Sequence, residues 1–260
     1  MGASSSKKND FSNPVGPNAP QPGMPPAEQE LEIDEDMEML DLRMKRLDKL
    51  PWDLSVLSNL TELDLSMNAY AQIPDQCMWR GGHLATSLTK LSINQNQIQK
   101  ISEDICEMKS LKTLCCYDNR LVSVPDNLYK LENLTQLNVN NNFMTSLPES
   151  FCLAPRLQIA YLSNNRLTAL PEGFGQLSEL RSLYLDCNTL TSLPESFFRL
   201  PRLQDLTLAN NTLRSIPADL GKLTTLQELY LNGACGPKKF PIPQPVQDLG
   251  ALKDCYEGQI

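Results

Sequence analysis

The residues that could perform catalysis are few and lie far apart in the chain. The 260 residues include a single histidine, His83, so any Ser–His or Cys–His relay would have to use it. The adjacent Cys115 and Cys116 should point to opposite sides of a strand and therefore cannot share a metal ion. The motifs G-x-x-x-x-G-K-[ST], G-x-S-x-G, H-E-x-x-H and C-x-x-C do not occur. We therefore expect a protein that is not an enzyme and has no cofactor, no metal site and no small-molecule substrate.

The N-terminus is the one stretch whose residues suggest a defined modification. It begins MGASSSKK, and Gly2 with Ser6 fits the pattern M-G-x-x-x-[ST] for N-myristoylation of Gly2 once Met1 is removed. Lys7 and Lys8 would add positive charge beside an anionic leaflet. A single myristoyl chain gives only marginal, reversible anchoring. The expected location is cytoplasmic, with weak peripheral attachment to the cytosolic leaflet of a membrane.

The charge and the cysteines narrow the choice of partner and compartment. A formal net charge of −8 argues against a nucleic-acid partner, because phosphate binding requires a basic surface. No 18-residue apolar run and no secretory hydrophobic segment occurs, so nothing in the sequence predicts export or a transmembrane span. Cys106, Cys116 and Cys152 fall at positions of a repeated pattern whose side chains should face the protein interior, so they should act as small apolar core residues. Scattered cysteines of this kind are typical of a reducing, cytosolic compartment.

A repeated pattern organises most of the chain. Residues 180–202 follow L-x-x-L-x-L-x-x-N-x-L-x-x-L-P-x-x-F-x-x-L-x-x, and the same template recurs upstream and downstream with a period of 23 residues. A longer unit begins at Leu60 and a degenerate one at Met37. The regular units begin at Leu88, Leu111, Leu134, Leu157, Leu180, Leu203 and Leu226.

The spacing within one unit predicts its local structure. In Leu183-Tyr184-Leu185 alternate side chains of a short strand face opposite ways, so the leucines point inward and the tyrosine outward. One such strand cannot cover its own apolar side, so the units must stack and their strands must pair in parallel. Where the chain leaves the strand, a buried asparagine can satisfy backbone groups that have no ladder partner. This position is occupied by Asn68, Asn96, Asn119, Asn142, Asn165, Asn188 and Asn211.

The second half of each unit should return along the other side of the array. Leu-Pro pairs such as Leu193-Pro194 suit an extended segment outside the sheet, because proline lacks an N–H. A short helical or 3₁₀ turn carrying Phe197 and Leu200 would then close the unit. The predicted fold is an α/β solenoid, a curved horseshoe with parallel strands on the concave face and short turns on the convex face.

The predicted domain organisation has four parts. Residues 1–27 are rich in proline, glycine, asparagine and serine and should be a disordered, lipidated tail. Residues 28–36 are acidic and form either an N-terminal cap or a solvated linker. The repeat domain spans residues 37–235, and residues 236–260 form a C-terminal cap or a partner-binding tail.

Two local features interrupt the template. The unit from Leu60 contains extra residues at Arg80–Leu84, which we expect in a loop at the turn or convex side, with His83 as an ordinary loop residue. Near the C-terminus Val246, Leu249 and Leu252 recur at intervals of three, which is consistent with a short amphipathic helix.

The outward strand positions provide the candidate binding site. Aromatic side chains are concentrated toward the C-terminal half, and Tyr161 and Tyr184 should lie about 5 Å apart on neighbouring strands. Tyrosine often anchors protein interfaces, although tyrosines on a solenoid strand can also simply cover their neighbours. The predicted partner-binding residues are Tyr117, Tyr161, Tyr184, Tyr230, Asp64, Asn94, Asn140 and Asp186.

The repeat motif over residues 37–235 resembles the cytosolic 23-residue leucine-rich repeats of the Ras-suppressor and Shoc class and of the plant intracellular Ras-group-related proteins. Through Gly2 and Ser6 the chain is also similar to small myristoylated leucine-rich-repeat proteins. The resemblance implies an adaptor or scaffold that binds a protein partner on its concave face. The alternative that it implies is a regulatory subunit acting on a small GTPase or a serine/threonine phosphatase. The matching residues are the inward ones, so the resemblance does not identify the partner.

Overall fold

A computed structural model of the chain describes residues 36–50, 54–74, 83–236 and 241–253. One compact unit runs from Glu35 to Ile260. Within the described residues its framework is a single sheet of ten parallel strands, each hydrogen-bonded to the next in sequence order. The strands are β1 Met39–Asp41, β2 Glu62–Asp64, β3 Lys90–Ser92, β4 Thr113–Cys115, β5 Gln136–Asn138, β6 Ile159–Tyr161, β7 Ser182–Tyr184, β8 Asp205–Thr207, β9 Glu228–Tyr230 and β10 Leu252–Lys253.

The inward leucines stack across the sheet as the period predicts. Leu183 pairs in register with Leu206 on one side and with Ala160 on the other. Leu183 and Leu185 are fully buried, whereas Tyr184 between them is partly exposed. Ala160 is the one small residue at this position in the middle of the array, and it is fully buried as well. The alternation of inward and outward residues is therefore confirmed in these strands.

The regular spacing of the asparagines corresponds to a ladder of buried or half-buried amides. The Nδ2 atom of Asn142 donates to the carbonyl oxygens of Cys116, Val139 and Asn140 at 3.1, 3.0 and 3.0 Å. Its Oδ1 atom accepts the backbone N–H of Leu121 at 2.9 Å. The same arrangement recurs at Asn68, Asn96, Asn119, Asn165, Asn188 and Asn211. Each amide joins its own turn to the preceding repeat, which confirms the role predicted for this position.

Short 3₁₀ turns close most units on the convex side. Phe197 and Leu200 are buried at and just after one of these turns, as predicted. The rings of Phe151, Phe174 and Phe197 stack in sequence with centroid separations of 6.1 and 5.8 Å. The 3₁₀ turns are Leu54–Val56, Glu103–Glu107, Leu128–Lys130, Glu149–Leu153, Phe174–Gln176, Glu195–Arg199 and Ala218–Lys222.

Several predicted features lie outside the described residues. These are the myristoylation signal at Gly2, the tail 1–27, nearly all of the acidic segment 28–36, and residues 80–82 of the insertion Arg80–Leu84. His83 is described, and the expectation that it belongs to a loop is wrong. It begins helix α1, His83–Ser87, because the side chains of Leu84 and Ala85 are buried and hold this turn on the core.

The C-terminal segment differs from the single helix predicted through Val246, Leu249 and Leu252. Helix α2 spans only Gln244–Gln247, and it packs against the 3₁₀ turn Ala218–Lys222 with Val246 fully buried. Gly250 then adopts a φ of 63°, which ends the helical path. Leu252 follows in β10 and pairs in parallel with Leu229 of β9. None of the helices in the described part of the chain is long and apolar enough to cross a bilayer.

Candidate functional site

Three rows of side chains cover the concave face of the sheet. The first row consists of Met39, Glu62, Lys90, Thr113, Gln136, Ile159, Ser182, Asp205 and Glu228. The second row consists of Asp41, Asp64, Ser92, Cys115, Asn138, Tyr161, Tyr184, Thr207 and Tyr230. The third row, two residues further along each unit, consists of Arg43, Ser66, Asn94, Tyr117, Asn140, Ser163, Asp186, Ala209 and Asn232.

The binding residues predicted from the sequence all lie in the second and third rows, and none lies in the first. The signal was present, because residues that precede an inward leucine by one also face outward in a strand. The omission matters for Asp205 and Glu228, which carry charge beside the predicted tyrosines.

At the N-terminal end of this face each of three carboxylates lies beside one of two cations. Arg43 donates to Asp41, with Nη2 and Oδ2 2.6 Å apart, and its Nε lies 3.7 Å from Asp64. Lys90 pairs with Glu62 at 3.0 Å across two strands. Hydrogen bonds from the side chain and backbone of Arg43 lower the pKa of Asp41. These residues line a shallow hollow in which both signs of charge are already paired, including the predicted site residue Asp64.

Two of the predicted binding residues hydrogen-bond within the sheet. Asn94 is only 7% exposed, and its Oδ1 accepts the backbone N–H of Tyr117 at 3.1 Å while its Nδ2 donates to Ser66. The expectation that Asn94 presents a side chain to solvent is therefore wrong, since the amide satisfies a neighbouring strand. Asn140 makes the equivalent bond to the N–H of Ser163 at 2.7 Å.

The predicted pair of tyrosines is found at the expected spacing. The ring centroids of Tyr161 and Tyr184 are 4.7 Å apart, and the ring planes differ by 6°. Burial raises the pKa of Tyr184, and the neighbouring Tyr161, Asp205 and Glu228 raise it further. A side-chain hydrogen bond with Ser182 lowers this pKa and so partly opposes the increase. The phenol thus lies in negative surroundings and stays protonated and able to donate at neutral pH.

Two aspartates lie beside this stack. The Oδ2 atom of Asp205 accepts the hydroxyl of Ser182 at 2.7 Å. The Oδ2 atom of Asp186 accepts the hydroxyl of Ser163 at 3.0 Å. Both carboxylates are partly exposed, and hydroxyl bonds leave acceptor capacity on each of them.

Tyr230 and Glu228 extend the same surface toward the end of the sheet. The hydroxyl of Tyr230 lies 3.4 Å from Oε2 of Glu228, and Glu228 is exposed. Thr207, between Tyr184 and Tyr230 in the second row, is 8% exposed and leaves a gap between the two rings. We call this part of the face the acidic tyrosine surface. It comprises Tyr161, Tyr184, Tyr230, Asp186, Asp205 and Glu228.

The acids of this surface differ from those at the other end of the sheet. Among the described side chains, no lysine or arginine lies within 4.0 Å of a carboxylate oxygen of Asp186, Asp205 or Glu228. In the sequence Arg181 comes just before β7, and in the backbone register Lys253 of β10 pairs with Tyr230. The acidic tyrosine surface therefore carries net negative charge within itself.

The cysteines and the residue types that could bind a metal have structural roles in the described part of the chain. Cys116 is fully buried, whereas Cys115 lies on the concave face, as strand alternation predicts. Burial raises the pKa of both Cys106 and Cys152 to about 12, so these thiols remain protonated. The part of the chain described contains no group of three or more His, Cys, Asp or Glu residues placed to hold a metal ion.

Comparison with known families agrees with this geometry. The family model described as leucine rich repeat matches residues 178–234, and a model for two leucine rich repeats matches residues 155–198. Residues 155–234 are leucine-rich repeats. Leucine-rich-repeat folds commonly serve as protein-interaction modules.

Solved structures and curated proteins extend this similarity. A leucine-rich-repeat protein of Leptospira interrogans, LIC12759, is 26% identical with a TM-score of 0.59, over 84% of this chain and 66% of that one. A plant peptide hormone receptor, RGFR1 in complex with RGF2, is 25% identical with a TM-score of 0.61, over 77% and 36% of the two chains. The MAP kinase phosphatase with leucine-rich repeats protein 3 of Dictyostelium discoideum is 34% identical over 36% of this chain and 11% of its own length. The chain spans only about a tenth of the length of the curated relatives that it matches.

Proposed function

We propose that the protein is a non-enzymatic adaptor that binds a protein partner on the concave face of its repeats. The observation that carries this proposal is the stacked pair Tyr161 and Tyr184, two large amphipathic rings held partly exposed on a rigid sheet. Both are fixed by the sheet before any partner arrives, so binding costs little additional side-chain ordering. Tyrosines of this kind are frequent energetic centres of protein interfaces.

The structural neighbours are consistent with a role in peptide or protein binding. The plant receptor RGFR1 is described in complex with RGF2, a state that belongs to that receptor. A concave strand face of ten parallel strands offers an extended partner a long, regular surface. The buried asparagine ladder keeps neighbouring rows at fixed spacing, which preserves the positions of the side chains above it.

We also propose that the adaptor is held at a membrane through N-myristoylation of Gly2. The support is the sequence M-G-x-x-x-[ST] with Lys7 and Lys8 close behind. A single acyl chain and two lysines give weak, reversible binding, so a bound partner would strengthen the attachment. Replacement of glycine by alanine, Gly2→Ala, should move the protein from the membrane fraction to the soluble fraction and abolish incorporation of a myristate analogue. Unchanged incorporation would remove the lipid proposal.

Regulation of a bound enzyme is the second function that we consider. One matched relative is by its name a phosphatase with leucine-rich repeats, and it shares only the repeat region with this chain. A small GTPase or a serine/threonine phosphatase bound on the concave face would have its activity changed by the adaptor. An activity assay on the purified partner, with and without this protein, separates regulation from simple recruitment.

The adaptor proposal is tested by identifying the partner and then locating its site. Proximity labelling in cells with the full chain would supply candidates, and the purified candidate would be titrated against wild type and Tyr161→Ala/Tyr184→Ala. We expect the double variant to weaken binding by about tenfold or more. The matched control is Leu153→Ala, which removes an exposed apolar side chain from a convex turn and should leave affinity unchanged. Equal affinity of all three proteins would exclude the tyrosine pair as the docking site.

A further inference from the structure

The two ends of the concave face differ in what they can accept. The N-terminal end holds three carboxylates, Asp41, Glu62 and Asp64, against two cations, Arg43 and Lys90, so each carboxylate has a cation beside it and only one negative charge is left unbalanced. A ligand that displaced these ion pairs would have to replace each of them. The acidic tyrosine surface has carboxylates bound only to neutral hydroxyl groups among the described side chains, and it is the end that a cationic partner can complement.

The gap above Thr207 gives this surface a definite shape. Tyr184 and Tyr230 lie two strands apart in the second row, which places their Cα atoms roughly 9–10 Å apart. Thr207 is buried and its Oγ1 accepts the backbone N–H of Leu185 at 3.3 Å, so it stays low between them. A cationic group midway across this gap would lie about 5 Å from each ring, within the roughly 6 Å at which a cation is attracted to an aromatic face, so the gap can accept one guanidinium.

Three carboxylates lie on, or just after, the strands that form this gap. Asp205 flanks Thr207 in the first row, and Glu228 follows it on the next strand. Asp186 occupies the third row one strand earlier. A guanidinium group is planar, stacks on aromatic rings and donates to carboxylates in a fork, whereas the compact ammonium of lysine does not stack in this way.

We propose that the acidic tyrosine surface binds an arginine-bearing extended segment of the partner protein, with a guanidinium seated between Tyr184 and Tyr230 above Thr207. This inference rests on the proposed adaptor function and names the chemistry of the partner that the function requires. Additional cationic residues of the segment lie along the first row near Asp205 and Glu228. An apolar or acidic segment is disfavoured, because it would cover three carboxylates without replacing their contacts with water.

The test uses the full chain and synthetic probes, so it does not depend on finding the natural partner. A fluorescein-labelled glycine/serine peptide carrying three arginines is titrated by fluorescence anisotropy. The same peptide with three citrullines keeps the shape and removes the charge. We expect saturable binding of the arginine peptide, roughly tenfold or more tighter than that of the citrulline peptide, and weakened by added salt.

Two variants with equal loss of charge separate a defined site from general attraction to an acidic protein. Asp186→Asn/Asp205→Asn/Glu228→Gln neutralises the acidic tyrosine surface and should lower the affinity for the arginine peptide roughly tenfold or more. Glu107→Gln/Glu172→Gln/Glu195→Gln removes three exposed carboxylates from the convex turns and should change it by less than about twofold. Tyr184→Ala should also weaken binding, and thermal unfolding would verify that each variant is folded.

Each outcome of the peptide titrations either supports the proposed arginine site or overturns it. Preference for the arginine peptide that is lost only in the concave variant supports the proposal, whatever the natural partner proves to be. Equal weakening by both triple variants, equal binding of the citrulline peptide, or no saturable binding would overturn it. If a partner binds wild type but not Tyr161→Ala/Tyr184→Ala, and substitution of arginines in its bound segment has no effect, the adaptor function stands and this inference fails.

Discussion

Tyr161 and Tyr184 face each other with ring centroids 4.7 Å apart and planes only 6° from parallel. Their strands are in register, so the separation is set by the spacing of parallel strands and not by rotation of the side chains alone. The stack therefore contributes to the stability of the repeat array and also presents a binding surface. These two roles can be measured separately.

The stabilising role should appear as a coupling energy between the two rings. Stacked aromatic pairs contribute about 0.5–1.5 kcal/mol beyond their buried area. A double-mutant cycle with Tyr161→Ala, Tyr184→Ala and the combined variant, followed by urea unfolding, should give a coupling of this size. Strict additivity of the two single substitutions would mean that the rings do not interact in solution.

Substitution of an asparagine in the ladder should lower the free energy of unfolding more than substitution of any single exposed residue. Asn142→Leu fits a similar volume but leaves the N–H of Leu121 without its partner. It also removes one of two hydrogen bonds from each of three carbonyl groups, those of Cys116, Val139 and Asn140. The unpaired N–H costs about 1–3 kcal/mol and the weakened carbonyls add to this, so we expect a loss of roughly 2 kcal/mol or more in the free energy of unfolding.

The neighbouring Asn141 is the control for this substitution. It is exposed and has a φ of 55°, a conformation that glycine adopts without strain. Asn141→Gly removes only a surface bond to Asp118 and should change stability by less than about 0.5 kcal/mol. A small effect at both positions would contradict the structural role assigned to the ladder.

The inward half of this fold could be predicted from the sequence because the same requirement recurs every 23 residues. Leucines at the strand positions and asparagines at the turn are set by stacking and by backbone satisfaction, and both depend on local spacing. The exceptions occur where a side chain has an alternative hydrogen-bond partner. The period alone places Asn94 on the outer surface, but its amide lies beside the N–H of Tyr117 in the next repeat and accepts a hydrogen bond from it.

The outward half depends on contacts between repeats that the period does not encode. The pairing of Glu62 with Lys90 joins residues 28 positions apart, whereas Asp205 and Glu228 have no such cation among the described side chains. The short C-terminal segment was also ambiguous, because intervals of three residues fit a helix until Gly250 turns the chain and Leu252 joins the sheet.

Glu103 should make the stability of the array depend on acidic pH. Burial alone would raise its pKa, but the backbone N–H groups of Asp126 and Asn127, at 2.8 and 3.1 Å from its carboxylate, lower it below the ordinary value. A carboxylate with a lowered folded-state pKa stabilises the fold above its unfolded pKa, about 4.3 for Glu. That contribution is lost as the pH falls through the folded-state pKa.

Substitution of this glutamate therefore has a predictable signature. Glu103→Gln should be less stable than wild type at neutral pH and should lose less stability on acidification, as measured by urea unfolding across the acidic range. Glu107→Gln removes an exposed charge from the same turn and serves as the control for loss of charge. Parallel pH profiles for Glu103→Gln and wild type would contradict the proposed linkage.

The buried thiols should be chemically silent in the folded protein. Burial raises the pKa of Cys106 and Cys152 to about 12, and Cys116 is fully buried with its pKa raised for the same reason. Alkylation depends on the thiolate, so iodoacetamide at neutral pH should leave these three residues unmodified until urea is added. Peptide mapping by mass spectrometry would report each site, and rapid native labelling of Cys116 would contradict its place in the core.

The C-terminal segment can be separated from the last repeat by a single methyl group. A Cβ added at Gly221 would lie 2.6 Å from both the Cβ and the backbone oxygen of Pro245, so helix α2 would have to move away from the turn Ala218–Lys222. Since β10 continues the sheet next to Tyr230, this displacement should loosen the edge of the acidic tyrosine surface. We expect Gly221→Ala to lower stability by about 1–3 kcal/mol and to increase hydrogen exchange in residues 241–253.

Gly173→Ala provides the comparison for this substitution. There the added Cβ would meet the end of the flexible Gln176 side chain at 3.2 Å, and the backbone φ of −79° suits alanine. Alanine reduces the conformational entropy of the unfolded chain, so Gly173→Ala should be neutral or slightly stabilising. If Gly221→Ala were equally well tolerated, with exchange in residues 241–253 unchanged, α2 would not pack on the last repeat in solution. The peptide titration would then have to be repeated on the variant to learn whether the acidic tyrosine surface needs β10 at all.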